Sequence, residues 1–214
     1  MNPNSRGLPQ PKFISSSCII RRGQVFQNGL RVFSSETIPV AAFLDEVYTH
    51  FSIAYPRFHR MDPLSRLAFL ASERALDGFA REPYQPEDLG VVLSNANSSL
   101  DTDIRYQETL QTIPSPALFV YTLPNIMIGE ICIRNQFKGE NAFFVFKAFD
   151  ANFMEQYVGD LLDQGLLKAC LFGWVDLLQD SYDAAILLAE GFPRPQALAF
   201  SAKEINHIYL TTHG

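Results

Sequence analysis

Basic residues, cysteines and long apolar runs are all scarce in this chain of 214 residues, and each scarcity argues against a class of function. Lys and Arg number 17 against 23 Asp and Glu, a formal net charge of −6. Phosphate binding needs a basic face, and none is visible, which argues against nucleic acid as a partner. The three cysteines, Cys18, Cys132 and Cys170, are odd in number and far apart, so they form no disulfide framework. They fit a reducing compartment, where free Cys behaves as a small buried hydrophobe. Apolar runs such as Ala142 to Val145 and Ala184 to Ala189 are far below the ~20 residues that span a bilayer. Met1 to Pro11 is polar and Pro-rich, without the apolar stretch of a signal peptide. The expectation is a cytoplasmic protein in which residues 1–12 form a flexible lead-in and residues 13–214 a single domain. No repeat, low-complexity tract or Gly/Ser/Pro linker divides it. His50 and His59 lack ligand spacing to Cys or carboxylates, so neither a metal nor another cofactor is implied.

What is present is a large apolar complement. Hydrophobic residues make up 47% of the chain, including 18 Phe, against 19% charged. Disorder is thereby ruled out. Phe13 to Arg21 reads as a strand, and Gln24 to Phe33 as a second after a turn at Arg22-Gly23. Phe43, Val47 and Phe51 recur at helical spacing behind Pro39. Asp62 is placed to cap a helix with Pro63 in its first turn, along which Leu64, Leu67, Ala68, Ala71, Ala75 and Phe79 make one apolar stripe. Asp88 to Leu93 suits a strand buried on both faces. A helix follows from about Asp101 to Leu110, then an extended piece, Leu118 to Tyr121, and a helix opened by Pro124. Ala142 to Phe146 reads as a strand, Phe153 to Leu162 as a helix, and Ala169 to Val175 and Ala184 to Ala189 as buried strands. Ile205 to Leu210 reads as a last strand. This alternation predicts an α/β domain with one mainly parallel mixed sheet of about five strands, covered by helices on both faces.

Three stretches go beyond class. Tyr55-Pro-Arg-Phe-His-Arg-Met-Asp62 resembles the segment that opens a long N-terminal helix in β-ketoacyl-acyl-carrier-protein synthases. Ser115-Pro116, Pro124-Asn125, Gly129 and Lys138-Gly139 are similar to the ketosynthase stretch S-P-x-x-x-x-x-x-x-P-N-x-x-x-G and the K-G turn after it. Asp88 to Leu93 and Leu171 to Gly173 are similar to two of that family's strands. The resemblance covers roughly residues 13 to 176. It implies a thiolase-like fold, of which this chain would hold the N-terminal half.

In a working ketosynthase, the strand after that turn leads to a Cys at the N-terminus of a buried helix, which takes the acyl chain as a thioester. Counting from Gly139 places Ala148 at that position, and an alanine methyl cannot be acylated. Cys18 and Cys170 fall in strands and Cys132 in a helix, so none replaces it. Asp150 falls at the helix start, where a carboxylate suits the dipole but opposes a thiolate. The histidines and lysine of the family's second half have no counterpart: His207 and His213 carry no motif context.

The resemblance therefore implies a non-catalytic homologue, like the chain-length factors that pair with an active ketosynthase. Its partner would be a full-length β-ketoacyl synthase, with acyl carrier protein engaged indirectly, in bacterial fatty-acid, polyene or polyketide synthesis. By position, Leu118, Phe119, Tyr121 and Thr122 would face the partner's acyl pocket. Asn141, Phe143, Phe144, Val145 and Phe146 would form a strand pairing across the dimer interface, an edge that would be aggregation-prone if left bare. Leu118, Phe119 and Tyr121 read equally as core residues. Two other functions stay open: an acyl transferase or thioesterase using Ser94, Ser98 or Asp150, and a homodimeric module that binds acyl carrier protein.

Overall fold

The computed structural model describes residues 11–211. Most of the expected lead-in, and His213, lie outside the described residues. The chain opens with strands β1 (Phe13–Arg21), β2 (Gln24–Gln27) and β3 (Leu30–Ser34), followed by helices α1 (Val40–His50) and α2 (Pro63–Ala75). Strand β4 (Leu89–Asn95) leads into α3 (Leu100–Thr109), α4 (Pro116–Val120) and α5 (Ile126–Asn135). Then come β5 (Asn141–Val145), α6 (Ala151–Asp163), β6 (Ala169–Leu178), β7 (Ser181–Glu190), β8 (Leu198–Ala199) and α7 (Ala202–Leu210).

The strands form one sheet in the order β3-β2-β1-β7-β6-β4-β5, with β8 added beside β1. All seven residues of β4 are buried, and the alternation of its side chains divides two cores. Val91 and Leu93 enter a core with α1, α2 and α5. Val92 enters a second with Met154 and Val158 of α6 and Ile205 of α7. In β6, Leu171 and Phe172 split in the same way. The α/β class and the helices on both faces are as the sequence leads one to expect.

Several details differ. The sheet has eight strands rather than about five, and it is parallel only at β6-β4-β5, every other ladder being antiparallel. The predicted strand Gln24 to Phe33 is a hairpin: Asn28 and Gly29 both take positive φ, the conformation that an Asn-Gly pair supplies to a two-residue turn. Likewise β6 and β7 are joined by a tight turn, with Gln179 at φ 55°, and so pair antiparallel. The predicted extended piece Leu118 to Tyr121 lies mostly in helix α4, because Ser115 accepts the Leu118 N–H at 3.3 Å and Pro116 occupies the first turn. The predicted strand Ile205 to Leu210 is helix α7. Ser201 caps it by accepting the Glu204 N–H, and the 3–4 spacing of Ile205, Ile208 and Tyr209 fits one helical face better than an alternating strand.

The cap foreseen at Asp62 is present. Its buried carboxylate accepts from the Ser65 N–H at 3.0 Å and from the Thr102 hydroxyl at 2.6 Å, fastening α3 to the start of α2. Burial raises its pKa, against the pull of those hydrogen bonds. Two outcomes follow. Asp62→Ala should lose about 1–2 kcal/mol in urea denaturation, the usual cost of a lost cap. A carboxyl whose folded pKa is raised stabilises most when protonated. Between pH 3 and 7 the native protein should therefore lose stability relative to Asp62→Asn as pH rises through the folded pKa. Gly173 of β6 has φ 150°, and a Cβ there would strike the Ala185 carbonyl oxygen. Gly173→Ala should cost more than about 2 kcal/mol by the same measurement.

Candidate functional site

Strands β4 and β5 run parallel, Leu93 beside Phe143 and Ser94 beside Phe144, so the loops that follow them emerge side by side. The Phe146 N–H donates to the Asn95 carbonyl at 2.9 Å and holds the two loops together. Ala148 lies in the second loop, solvent-exposed, two residues before the cap of α6. Asp150 is that cap, its carboxylate accepting the Phe153 N–H at 3.0 Å. Ala148, Asp150, Asn152, Lys203 and Asn206 border a shallow depression between the loop and α7. Phe149 closes one side against Tyr209, their rings 4.6 Å apart.

No cysteine or serine stands in this loop, which reads Phe146-Lys147-Ala148-Phe149-Asp150. Cys18 sits in β1, Cys170 in β6 and Cys132 in α5. Burial pushes the Cys18 thiol up to about 12, against a weak opposing pull from Arg74, and Cys132 up to about 11. Cys170 is raised too, chiefly by burial. Ser94 is fully buried and donates to the Gly173 carbonyl at 3.2 Å, and the Ser98 N–H is held by Asn95 Oδ1 at 2.8 Å. The histidines are dispersed. His50 packs on Phe33, His59 is 3.6 Å from Asp45, and His207 lies beside Thr211. Among the described residues no group of three or more His, Cys, Asp or Glu could hold a metal ion, and no helix is long and apolar enough to cross a membrane.

The α3–α4 segment has two unlike sides. Polar bonds fasten it from beneath. Ser99 Oγ donates to the Thr122 carbonyl at 2.8 Å, and the Tyr121 hydroxyl to Glu130 Oε1 at 3.2 Å. Arg57 donates to the same oxygen of that buried carboxylate. Burial, and then the charge and hydrogen bond of Glu130, push the Tyr121 phenol up to about 12. Outward, the segment exposes large apolar side chains among polar ones such as Arg105, Gln107 and Glu108. Phe119 is 59% exposed and Ile113 84%, with Ile104, Leu110, Val120 and Leu123 also exposed. Leu118, Tyr121 and Thr122 are half-buried. Several large apolar side chains exposed on one short segment are a feature of interaction surfaces when they are contiguous.

Among the described residues, strand β5 ends the sheet and pairs with β4 alone. Its Phe143 leans on the α2-side core. Phe144 stacks with Phe146 at 5.8 Å and meets Phe153 and Tyr157 of α6 edge-on at 4.7 and 5.0 Å. Asn141 and Val145 are exposed, Val145 by 55%. Sequence reasoning missed the share of Phe153 and Tyr157 in this aromatic group. It also missed the Arg57–Glu130–Tyr121 linkage, for which the sequence carries no local signal.

No protein-family model and no curated protein matches the chain. Solved structures do. The ishigamide ketosynthase/chain length factor aligns at 16% identity and a TM-score of 0.60, over 84% of this chain and 62% of that one. A type II PKS acyl-carrier protein in complex with its ketosynthase, bound to the hexaketide, aligns at 14% identity and TM-score 0.59, over 86% and 63%. A ketosynthase in complex with its chain length factor from Xenorhabdus doucetiae aligns at 14% identity and TM-score 0.53, over 84% and 79%. The fold is that of the thiolase-like ketosynthases, and the chain spans about three fifths of the length of the first two.

With their thiols pushed far above neutrality, the three cysteines should resist iodoacetamide at pH 8 in the folded protein and react on denaturation. Ala148→Cys, exposed in its loop, should add one site that labels rapidly. Fast labelling of the native protein, read by mass spectrometry, would contradict the placement of its thiols.

Proposed function

We propose that this chain is a cytoplasmic, non-catalytic ketosynthase homologue that pairs with a full-length β-ketoacyl synthase, stabilising it and shaping its acyl pocket. The reading rests chiefly on a ketosynthase fold whose nucleophile position holds Ala148, with every cysteine elsewhere and every thiol pKa raised. A thioester cannot form on a methyl group, and activating a Ser or Cys needs a nearby base or a lowered pKa. The surface supports a partner. The apolar α3–α4 side and the open edge of β5 present area that a monomer leaves in water, and pairing along β5 would satisfy its free N–H and C=O groups. Among the structural neighbours are a ketosynthase/chain length factor and a ketosynthase with its chain length factor. Acyl carrier protein is engaged through the partner, since the −6 charge of this chain repels an acidic carrier at long range. The pathway is fatty-acid, polyene or polyketide synthesis.

Within the pair, Leu118, Phe119, Tyr121 and Thr122 border the partner's acyl pocket. Side-chain volume there limits elongation, because overpacking costs about 1–3 kcal/mol. The test is co-expression with a full-length synthase from the same genome. Gel filtration should give one heterodimer peak, and Phe119→Glu should split it, since a charge buried in an apolar contact is costly. Leu118→Trp should leave the pair intact and shorten the partner's products. Two separate monomer peaks would overturn the pairing, a homodimer of this chain alone would favour the self-associating module, and unchanged product length would remove the pocket role.

A further inference from the structure

Residues 99–122 form an arm that closes on itself. At its neck the Ser99 hydroxyl donates to the Thr122 carbonyl at 2.8 Å, and midway the Ser115 N–H donates to Thr109 Oγ1 at 3.2 Å. Apolar burial does little to hold it, since α4 buries no residue and α3 only Thr102. A helix without a buried face depends on its polar ties. Those of α3 lie in its first turn. Thr102 donates to Asp62 Oδ2 at 2.6 Å, and Asp101 Oδ1 accepts the Gln179 N–H of the β6–β7 turn at 2.8 Å.

Helix α4 is held at its far end, by Tyr121. Among the described residues of the arm, Tyr121 is the one whose ring packs against the α2-side core, and its hydroxyl donates to Glu130 Oε1. It lies in the turn that ends α4, its N–H bonded to the Leu118 carbonyl at 2.9 Å, so the phenol and the backbone of Leu118 are joined within one turn. Glu130 is buried in α5, and two donors orient its carboxylate, Tyr121 and Arg57, both on Oε1 at 3.2 Å. Its Oε2 has no hydrogen-bond partner among the described residues. Arg134, one turn further along α5, is engaged by Glu73 at 2.9 Å. The Arg57 side chain is half exposed, so the inner end of this linkage is the bond between Tyr121 and Glu130.

We propose that Glu130 is the positioning residue of the arm: by accepting the Tyr121 hydroxyl it fixes α4, and with it how far Leu118 and Phe119 reach toward the partner's acyl pocket. This role in the pocket rests on the pairing proposed above. A hydrogen bond to a charged acceptor contributes more than one between neutral groups. Without it, α4 is tied at the neck by Ser99 and Thr122 and is free to tilt about them. A pocket wall that tilts yields to a longer chain where a fixed wall clashes.

Amide hydrogen exchange of the full chain, read by mass spectrometry, tests the positioning with no partner present. In Glu130→Leu and in Tyr121→Phe, the amides of residues 116–122 should exchange about tenfold faster than in the native chain, with those of α2 and β4 unchanged. Glu130→Gln keeps an oxygen that accepts from Tyr121 and should stay within about twofold of the native rate. In the co-expressed pair, Glu130→Leu and Tyr121→Phe should extend the products toward longer chains, and Glu130→Gln should restore the native length. If Glu130→Leu fails to fold, Tyr121→Phe, which removes one oxygen, carries both readings. Native exchange at residues 116–122 in Tyr121→Phe, or native product length in a pair that Leu118→Trp does shorten, would overturn the positioning while the pairing stands. Separate monomer peaks for the native chain would overturn the pairing, and the pocket role with it.

Discussion

The structure depends on a strand pair, β4 and β6, that puts apolar side chains into both faces of the sheet at once. Every residue of β4 is buried, and β6 is buried along most of its length. Such strands cannot form one wall of a two-layer domain, because either face would lie in water; they oblige helices on both sides. Helices α1, α2 and α5 meet one set of side chains, and α6 and α7 the other. The same constraint explains Gly173, where β7 approaches so closely that a side chain would collide with its backbone.

Once β4 and β5 are parallel, their following loops share one edge of the sheet, outside the carboxyl ends of the strands where open α/β sheets form their binding crevices. Asp176 fixes the first loop, accepting the Ala96 and Asn97 N–H groups at 3.1 and 3.0 Å. Asp150 fixes the second by capping α6. Carboxylates engaged with backbone N–H groups thus hold both loops, and Ala148 lies exposed in the second.

The α3–α4 segment inverts the usual arrangement of a surface helix. Its inner side is attached through Ser99, Thr102, Tyr121 and Glu130, and its outer side exposes Ile113 and Phe119. Hydrogen bonds set its position, while the apolar side chains that would normally bury a helix remain free for another surface.

Local chemistry determined a good deal of this without any structure. The caps at Asp62 and Asp150, the apolar run that opens β4, and the strands around Cys18 and Cys170 all follow from neighbours a few residues away. Short-range signals existed for α4 and α7 as well, in Ser115-Pro116 and in the 3–4 spacing of Ile205, Ile208 and Tyr209, although a short apolar run reads as strand or helix alike. Tertiary structure alone decided that β6 and β7 fold back on each other, that Phe119 faces water and not the core, and that Arg57 and Tyr121 converge on Glu130. Each of those depends on contacts between segments distant in the chain. A side chain's burial and its partners are properties of what packs against it, which no window of neighbouring residues contains.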